Sequence, residues 1–364
     1  MNKKRVLSAF LVTMMGLSLF TGCGKKEQET TTEATEEPTY ALTLTDSPML
    51  NETAPETDPH KGLVQNDLNG EWVTPEQANK RPVAIMINNI DVALPQSNIE
   101  QADIIYDCLV EGGITRLMAI YSDWSNLDRI GPVRSARHYY LRKAVEYDAV
   151  YVHFGYSTYA QSDCSNYGRL DNINGLYDGG FYRDTNRVAP HNAYTSSSGI
   201  DGQIESYGYD KEHHDWYQKP YKFNEEDTDM ANGNPANKVT IHHNDYSDPW
   251  FEYDKDRKEY VRFEYGDVHY DDQTENQLHF KNVLVQFCDH QVLDSKGYLN
   301  VDFVGSGSGY LVTDGKYVPV NWYKASEEDS THWTFEDGSQ MVLNPGKTCV
   351  CVMESNNTSG FIVE

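Results

Sequence analysis

Arginine residues near the middle of the chain are the first candidates for chemistry. The stretch GPVRSARHYY places Arg134 and Arg137 three residues apart, with Ser135 between them, and Arg116 precedes them in ITRLMAIYS. A guanidinium is planar and permanently charged, and its donors match the oxygen atoms of phosphate and carboxylate groups. Arg116, Arg134 and Arg137, which we call the arginine site, therefore indicate either an anion-binding site or internal ion pairs. The acidic partners for such pairs would be Glu111, Asp107 or Asp103.

Two histidines and their neighbours extend this candidate site. His153 ends the apolar run AVYVHFG, while His191 and Asn192 lie in APHNAY, after the FYRD stretch that contains Arg183. Histidine exchanges protons near neutral pH, and loops beside rigid strands often carry binding residues. We expect His153, His191 and Asn192 to line the mouth of the arginine site, and Arg183 and Ser135 to be further ligand-binding residues. Hydrogen bonds that only anchor loops are the alternative explanation of the histidines.

Catalysis is a separate hypothesis for the same region. Glu111 is a candidate general acid with His153 or His191 as its partner, because glycan cleavage needs groups with distinct protonation behaviour. A second carboxylate cannot be singled out, since three candidates qualify equally: Asp107, Asp163 and Asp184. No G-x-S-x-G motif is present, and GSGSG at 305–309 lacks the Lys-Ser/Thr of a phosphate-binding loop. A hydrolase or lyase stays open beside a binding protein.

A helix is predicted to position Arg134 and Arg137. Pro132 suits the first position of a helix, and VRSARHYYLRKAVEY contains no helix breaker, which predicts about four helical turns. The two arginines would then lie on one face near the positive end of the helix dipole. That end disfavours cations and accepts anions, so a bound anion would explain their placement.

A hairpin is predicted to position Arg116. DIIYDCLVEGGITRLMAIYS contains two apolar strands around Gly112-Gly113, a pair that favours a two-residue turn. With Glu111 paired to Ile114, Leu109 would face Arg116. The hairpin register then places six residues on one sheet face: Asp107, Leu109, Glu111, Ile114, Arg116 and Met118.

The chain as a whole is acidic and carries an export signal. Its 364 residues have a formal net charge of -26, which argues against nucleic acid as a partner because phosphate binding needs a basic surface. Residues 1–22 join the basic MNKKR to an apolar run that ends at FTGC, and Cys23 is therefore the predicted lipidation site. An uncleaved transmembrane anchor is the alternative, for which the apolar run is short. The predicted location is the cell membrane, on a lipid anchor facing outside the cytoplasm.

Composition divides the rest of the chain into four regions. Residues 23–62 form an acidic Thr/Glu/Pro tether, 63–223 an N-terminal α/β domain, 224–237 a linker and 238–364 a β-rich C-terminal domain. We expect an α+β fold with mixed sheet layers packed with helices in the first domain and mostly antiparallel strands in the second. The cysteines lack a CxxC or metal-type spacing, so neither a metal nor another cofactor is predicted.

Several stretches together resemble the YerB-like family of bacterial lipoproteins, a domain of unknown function. They include RPVAIMINN, ADIIYDCLVEGGITRLMAIY, IGPVRSAR, YDAVYVHFG and APHNAY, followed by NVLVQF, DGKYVPVNWYK and LNPGKT. The resemblance covers about residues 68–353 and implies an α+β fold and a surface-anchored lipoprotein. It supplies no reaction. The function that we expect is binding of an anionic cell-envelope ligand such as a cell-wall polymer, with a wall hydrolase or lyase and an envelope-protein scaffold as alternatives.

Overall fold

The structure is a computed structural model that describes residues 58–364 of the chain. The predicted signal peptide, the lipidation site Cys23 and the tether as far as residue 57 lie outside the described residues, while residues 59–62 form turns. Within residues 58–364, no helix has the length and apolar composition that crossing a membrane requires.

Helices are few in the described part of the chain, and local capping signals mark most of their ends. The α-helices are α1 Pro75–Ala78, α2 His138–Glu146, α3 Thr158–Asn166 and α4 Ser197–Tyr207, with single 3-10 turns at Asp91–Ala93, Glu111–Gly113 and Thr358–Gly360. Thr74, Ser157 and Ser196 cap α1, α3 and α4 with their side-chain oxygens. Such caps satisfy backbone N–H groups that the first turn of a helix leaves free. The α2 helix begins without a side-chain cap.

Strands dominate the structure. In chain order they are β1 Val64–Gln65, β2 Trp72–Val73, β3 Val83–Asn89, β4 Ile104–Leu109, β5 Thr115–Tyr121, β6 Val150–His153, β7 Asn172–Asn174, β8 Phe181–Arg183, β9 Ala193–Thr195, β10 Asn234–Pro235, β11 Lys238–Ile241, β12 Trp250–Asp254, β13 Glu259–Glu264, β14 Asp267–Val268, β15 His279–Phe280, β16 Asn282–Val292, β17 Leu299–Asp302, β18 Gly305–Thr313, β19 Lys316–Lys324, β20 His332–Phe335, β21 Thr348–Glu354 and β22 Phe361–Val363.

A mixed central sheet of 12 strands organises the molecule. Its main path is β10-β19-β18-β16-β21-β4-β5-β3-β6-β7, with β17 added to β16 and β20 added to β19. The β3–β6, β6–β7, β16–β21 and β21–β4 pairs are parallel, and the others are antiparallel. A second sheet has the order β14-β13-β12-β11-β22, with β15 on β13. The predicted α+β class is confirmed.

The central sheet runs through both predicted domains. Strand β21, from the C-terminal region, lies parallel to β4 from the N-terminal region, with Cys351 opposite Asp107. The described residues fall in one compact unit. The domain division at 224–237 stays a prediction. Composition did not indicate that strands from both regions would form one sheet.

Both faces of the central sheet are covered by apolar layers. One face packs against α2, and Met86 and Met118 of the sheet belong to the same buried cluster as Tyr140 of the helix. The other face packs against the second sheet, where Ile85 belongs to the same buried cluster as Val239. Strands that are covered on both faces have near-continuous apolar runs, and VAIMINN, which is apolar up to its two final asparagines, is buried along its whole length.

The prediction that a helix contains Arg134 and Arg137 is wrong, because the helix begins after them. Helix α2 begins at His138, and residues 131–137 are extended, with Val133 paired to Ile87 and Ala136 paired to Tyr156. Their backbone groups form hydrogen bonds with β3 and with the segment that follows β6, as in Arg134 N to Met86 O and Ala136 N to Gly155 O. Hydrogen bonds to neighbouring strands thus replace those of a helical turn, and tertiary context overrides local preference.

The predicted hairpin register is also wrong, by one residue. Residues 111–113 form a three-residue turn in which Gly112 and Gly113 have φ values of 80° and 71°. Arg116 therefore pairs with Cys108, and Thr115 pairs with Leu109. A slip of one residue moves every side chain to the opposite face, so Arg116 lies on the α2 face and not on the face predicted for it.

Candidate functional site

The arginine site lies where β3 and β6 separate near their carboxyl ends. The two strands pair only over residues 83–85 and 150–152, and residues 131–137 fill the gap beyond them. Arg134 N donates to Met86 O at 2.8 Å, and Phe154 N donates to Arg134 O at 2.9 Å. In sheets with parallel strands, ligands bind outside the carboxyl ends where neighbouring strands diverge. The inserted segment brings its arginines to such a position.

Arg116 is a buried cation without an ionic partner. Its side chain is only 2% exposed, and none of the carboxylates in residues 58–364 lies within 4.0 Å of its guanidinium. The guanidinium donates one hydrogen bond, from Nη1 to Ser135 O at 2.9 Å. Burial and then repulsion from Arg137 and Arg134 lower the pKa of Arg116 to about 9. Buried charges are ordinarily paired, so this charge is held at a free-energy cost.

Arg137 has the internal partner that the sequence left open. Its Nε donates to Glu111 Oε2 at 2.8 Å, and Nη2 contacts the second carboxylate oxygen. Nη1 donates to the carbonyl oxygens of Ser135 and Ala136. Burial opposes ionisation of Glu111, but the pairing with Arg137 outweighs it and lowers the pKa of Glu111. Glu111 is therefore an ionised counter-charge to Arg137, which is one of the internal pairs that the sequence left open.

Arg134 lies between the two buried arginines and the His191 loop. Its Nη1 donates to Pro190 O at 3.2 Å, and its Nε is buried without a hydrogen-bond partner in the described chain. Asn88 Nδ2 donates to His191 Nδ1 at 2.7 Å, which leaves the Nε2 atom of His191 to carry the proton. Burial and the charge of Arg134 lower the pKa of His191. His191 therefore stands beside Arg134 as a neutral hydrogen-bond donor at neutral pH.

Of the remaining predicted residues, Arg183 lies next to the arginine site, whereas Asn192 and Ser135 hold its loops in place by hydrogen bonds. Arg183 is exposed, donates to Asn192 Oδ1 at 2.7 Å and has no carboxylate within 4.0 Å among residues 58–364. Asn192 is buried and donates to the carbonyl oxygens of Asp184 and Arg187, so it fixes the loop. Ser135 Oγ donates to Phe154 O at 3.1 Å. Asn192 and Ser135 thus act as supports.

His153 does not line the mouth of the site. It is fully buried, and its ring nitrogens contact Gly155 O at 2.7 Å and Asn172 Oδ1 at 3.1 Å. Burial lowers the pKa of His153. Its position matches the alternative of a histidine that anchors a loop by hydrogen bonds.

The other candidate carboxylates have partners elsewhere. Asp107 pairs with the buried Arg262 at 2.7 Å, Asp184 pairs with Arg129 at 2.7 Å, and Asp163 lies 3.5 Å from Arg142. Among residues 58–364, the structure thus brings one carboxylate, that of Glu111, close to the cluster formed by Arg116, Arg134, Arg137, Arg183 and His191.

Asp103, another possible arginine partner, lies at the opposite end of β5 from Arg116. It accepts hydrogen bonds from Asn69 Nδ2 at 2.7 Å and Ser122 N at 2.6 Å, and burial raises its pKa. It borders a polar cavity of about 560 Å³ that also contains Glu71. Sequence reasoning missed this cavity, because its lining comes from segments that show no motif.

Sequence reasoning also missed Asn88, which orients His191. The signal was the pair of asparagines that ends the apolar run of β3, because polar residues at a strand end are placed to contact loops. Among residues 58–364 no group of three or more His, Cys, Asp or Glu side chains is arranged to hold a metal. The chemistry that the arginine site offers is therefore charge and hydrogen-bond donation toward an anion.

The fold and site define an α+β protein whose mixed sheet carries an arginine cluster, of which Arg137 alone among Arg116, Arg134 and Arg137 pairs with a carboxylate in residues 58–364, near the carboxyl ends of two strands. Residues 68–210 match the N-terminal domain of the family described as protein of unknown function (DUF3048), and residues 237–350 match its C-terminal domain. The chain belongs to this family.

Two comparisons with one relative agree with that assignment. The chain is 31% identical over 277 residues to YerB of Bacillus subtilis (strain 168), which is named as a lipoprotein, covering 75% of this chain and 81% of the relative. The crystal structure of YerB superimposes with a TM-score of 0.73 at 28% identity, covering 83% of this chain and 99% of that chain. The relative's name agrees with the location predicted from residues 1–23, that of a lipoprotein facing outside the cytoplasm.

Proposed function

We propose that this protein is a lipid-anchored binding protein that captures an anionic cell-envelope ligand at the arginine site. The observation that carries the proposal is Arg116, a guanidinium that is 2% exposed and has no ionic partner in residues 58–364. Folding around an unpaired cation is unfavourable. A bound phosphate or carboxylate group would remove that penalty, because charge-assisted hydrogen bonds are the strongest that a guanidinium forms.

The anchor in this proposal is a lipid on Cys23. It rests on the order of basic, apolar and small residues before Cys23 and on the name of the B. subtilis relative. If the tether predicted from composition behaves as a coil, its roughly 40 residues would span about 35 Å on average. That reach lets the folded part meet polymers beyond the lipid surface, where phosphate and carboxylate groups are plentiful.

Binding is favoured over hydrolysis or lysis by the state of the candidate catalytic groups. Both carboxylate oxygens of Glu111 contact Arg137, and its pKa is lowered, so it holds no proton to donate near neutral pH. His153 is buried with both ring nitrogens occupied. His191 alone remains free to meet a ligand, and a general acid–base mechanism needs a second group.

The test is co-sedimentation of the full-length protein, in detergent micelles, with purified peptidoglycan that carries its anionic polymers. Arg134→Gln should weaken binding at least tenfold, because a hydrogen bond to a charged group contributes about 1.5–3 kcal/mol. Arg134 is the suitable position, since its side chain is partly exposed and its guanidinium donates only one hydrogen bond within the described chain.

Arg169→Gln is the matched control. Arg169 pairs with the exposed Glu328 at 2.8 Å, and its replacement removes the same charge from another part of the surface. If both substitutions weakened polymer binding equally, the effect would come from the net charge of the protein, and the proposed site would be rejected. Release of soluble fragments by the wild-type protein, abolished by His191→Gln, would replace the binding proposal with the enzymatic one.

A further inference from the structure

An exposed apolar surface borders the arginine site. Tyr177 is 74% exposed and Leu176 is 52% exposed, so two neighbouring large side chains present apolar surface to solvent. The Tyr177 hydroxyl lies 3.0 Å from that of Tyr156, and the two rings are 6.4 Å apart with an angle of 39° between their planes. We call Tyr156, Leu176 and Tyr177 the tyrosine patch.

Backbone geometry joins the tyrosine patch to the arginine site. A β-carbon at Gly155 would lie 3.2 Å from Leu176 Cδ1 and 3.4 Å from Ser135 Oγ, so Leu176 and Ser135 converge on the same point. Gly155 has a φ of 79°, a conformation that glycine adopts without strain. The carbonyl oxygen of Ser135 accepts hydrogen bonds from Arg116 and Arg137. One residue, Ser135, therefore separates the apolar surface from the buried cations.

We infer that the ligand is a glycan in which an anionic group is attached to a sugar ring, with the anion on Arg134 and Arg116 and the ring against Tyr177 and Leu176. The inference rests on the proposed function, because it assigns the ligand class of the same site. A sugar ring has apolar C–H faces and hydroxyl groups at its edge. Tyrosine offers the complementary combination of an apolar ring and a polar tip.

Two other anionic ligand classes fit less well. A bare phosphate ion would contact the arginines and leave the tyrosine patch uncovered. An acyl chain would need a larger continuous apolar surface than these side chains provide, and the hydroxyl pair of Tyr156 and Tyr177 interrupts it. A sugar with an attached anion uses both surfaces at once.

The experiment measures dissociation constants of the full-length protein for three probes: inorganic phosphate, glucose 6-phosphate and glucose. In the wild-type protein, glucose 6-phosphate should bind about tenfold more tightly than phosphate, and glucose should bind most weakly. Tyr177→Ala should abolish that tenfold advantage and leave phosphate binding unchanged. Arg134→Gln should weaken binding of both phosphate-containing probes.

Tyr323→Ala is the control, because Tyr323 is 53% exposed on β19 and lies outside the patch. If wild-type protein binds phosphate and glucose 6-phosphate equally well, the glycan inference is overturned while the anion site stands. If Tyr177→Ala and Tyr323→Ala retain the same tenfold advantage, the tyrosine patch is not the sugar surface and the inference fails. If neither phosphate-containing probe binds the wild-type protein, the proposed function fails with it.

Discussion

Replacing Arg116 by methionine should make the unliganded protein more stable. Near neutral pH the guanidinium is charged in the folded and the unfolded chain. The lowering of its pKa from 12.5 to about 9 corresponds to roughly 5 kcal/mol against the folded, charged form. Loss of the hydrogen bond to Ser135 O offsets about 1.5–3 kcal/mol of that gain. We therefore expect the free energy of unfolding to rise by about 2–3.5 kcal/mol.

Arg262→Met is the matched comparison, because it makes the same change at another fully buried arginine. Burial disfavours the charge of Arg262, but Asp107 and Glu264 outweigh that effect and raise its pKa. Removing it leaves two buried carboxylates without their cation, which should cost about 3–5 kcal/mol. The same substitution should thus have opposite signs at the two positions.

The assay is urea unfolding of the full-length protein at pH 7, followed by tryptophan fluorescence, with and without inorganic phosphate. Phosphate should stabilise the wild-type protein and leave Arg116→Met unaffected beyond the general salt effect, since only a protein that binds a ligand gains stability from it. A loss of several kcal/mol in Arg116→Met would mean that Arg116 is a structural residue with a partner in the fold. That result would refute the reasoning.

Four further predictions concern binding, pH dependence, stability and anchoring. His191→Gln should weaken polymer binding by no more than about tenfold, because one neutral hydrogen bond contributes about 0.5–1.5 kcal/mol; co-sedimentation measures it. Burial opposes ionisation of Glu146, but Lys143 and Lys324 outweigh that effect and lower the pKa of Glu146 to about 2. The stability that this carboxylate contributes should be complete above about pH 4.5 and should decline as the pH falls toward 2. Unfolding curves recorded across that pH range measure it. Glu146→Gln should lower the free energy of unfolding near pH 7 by about 3–5 kcal/mol, because two buried ammonium groups lose their shared carboxylate. Cys23→Ala should move the protein from the detergent phase to the aqueous phase in a partition experiment.

Each of these has a result that would contradict it. A loss of binding far beyond tenfold in His191→Gln would make the imidazole a principal ligand contact. Acid unfolding of Glu146→Gln with the same pH dependence as the wild-type protein would show that this carboxylate does not govern the low-pH behaviour. Equal membrane retention of Cys23→Ala and wild type would reject lipidation at that residue.

The amino-acid sequence determined which segments are buried and which residue types make up the proposed anion site. RPVAIMINN and ADIIYDCLV contain near-continuous apolar runs, at 83–87 and at 104–110 with Asp107 as the interruption, and such runs indicate strands covered on both faces. Arginine, histidine and asparagine in GPVRSAR and APHNAY indicated the components of the site, and the structure places Arg134 beside His191. Family membership was also readable, because its motifs are local in sequence.

Tertiary structure decided the pairing of charges and the exact register. Glu111 could be assigned to Arg116 or Arg137 from the sequence, and the three-residue turn at 111–113 settled it in favour of Arg137. Asp107 forms an ion pair with Arg262, which is 155 residues away in the chain. No local pattern encodes such a contact, since it depends on the packing of the second sheet against the central one.

The extended conformation of residues 131–137 has the same origin. Taken alone, VRSARHYYLRKAVEY favours a helix throughout, yet β3 and β6 diverge and leave backbone groups that must be paired. Buried N–H and C=O groups are costly when unpaired, and Val133 and Ala136 satisfy them by bridging to Ile87 and Tyr156. The sequence thus supplied the arginines, while the gap between two strands, known only in three dimensions, determined where the arginines lie and which of them lacks a partner.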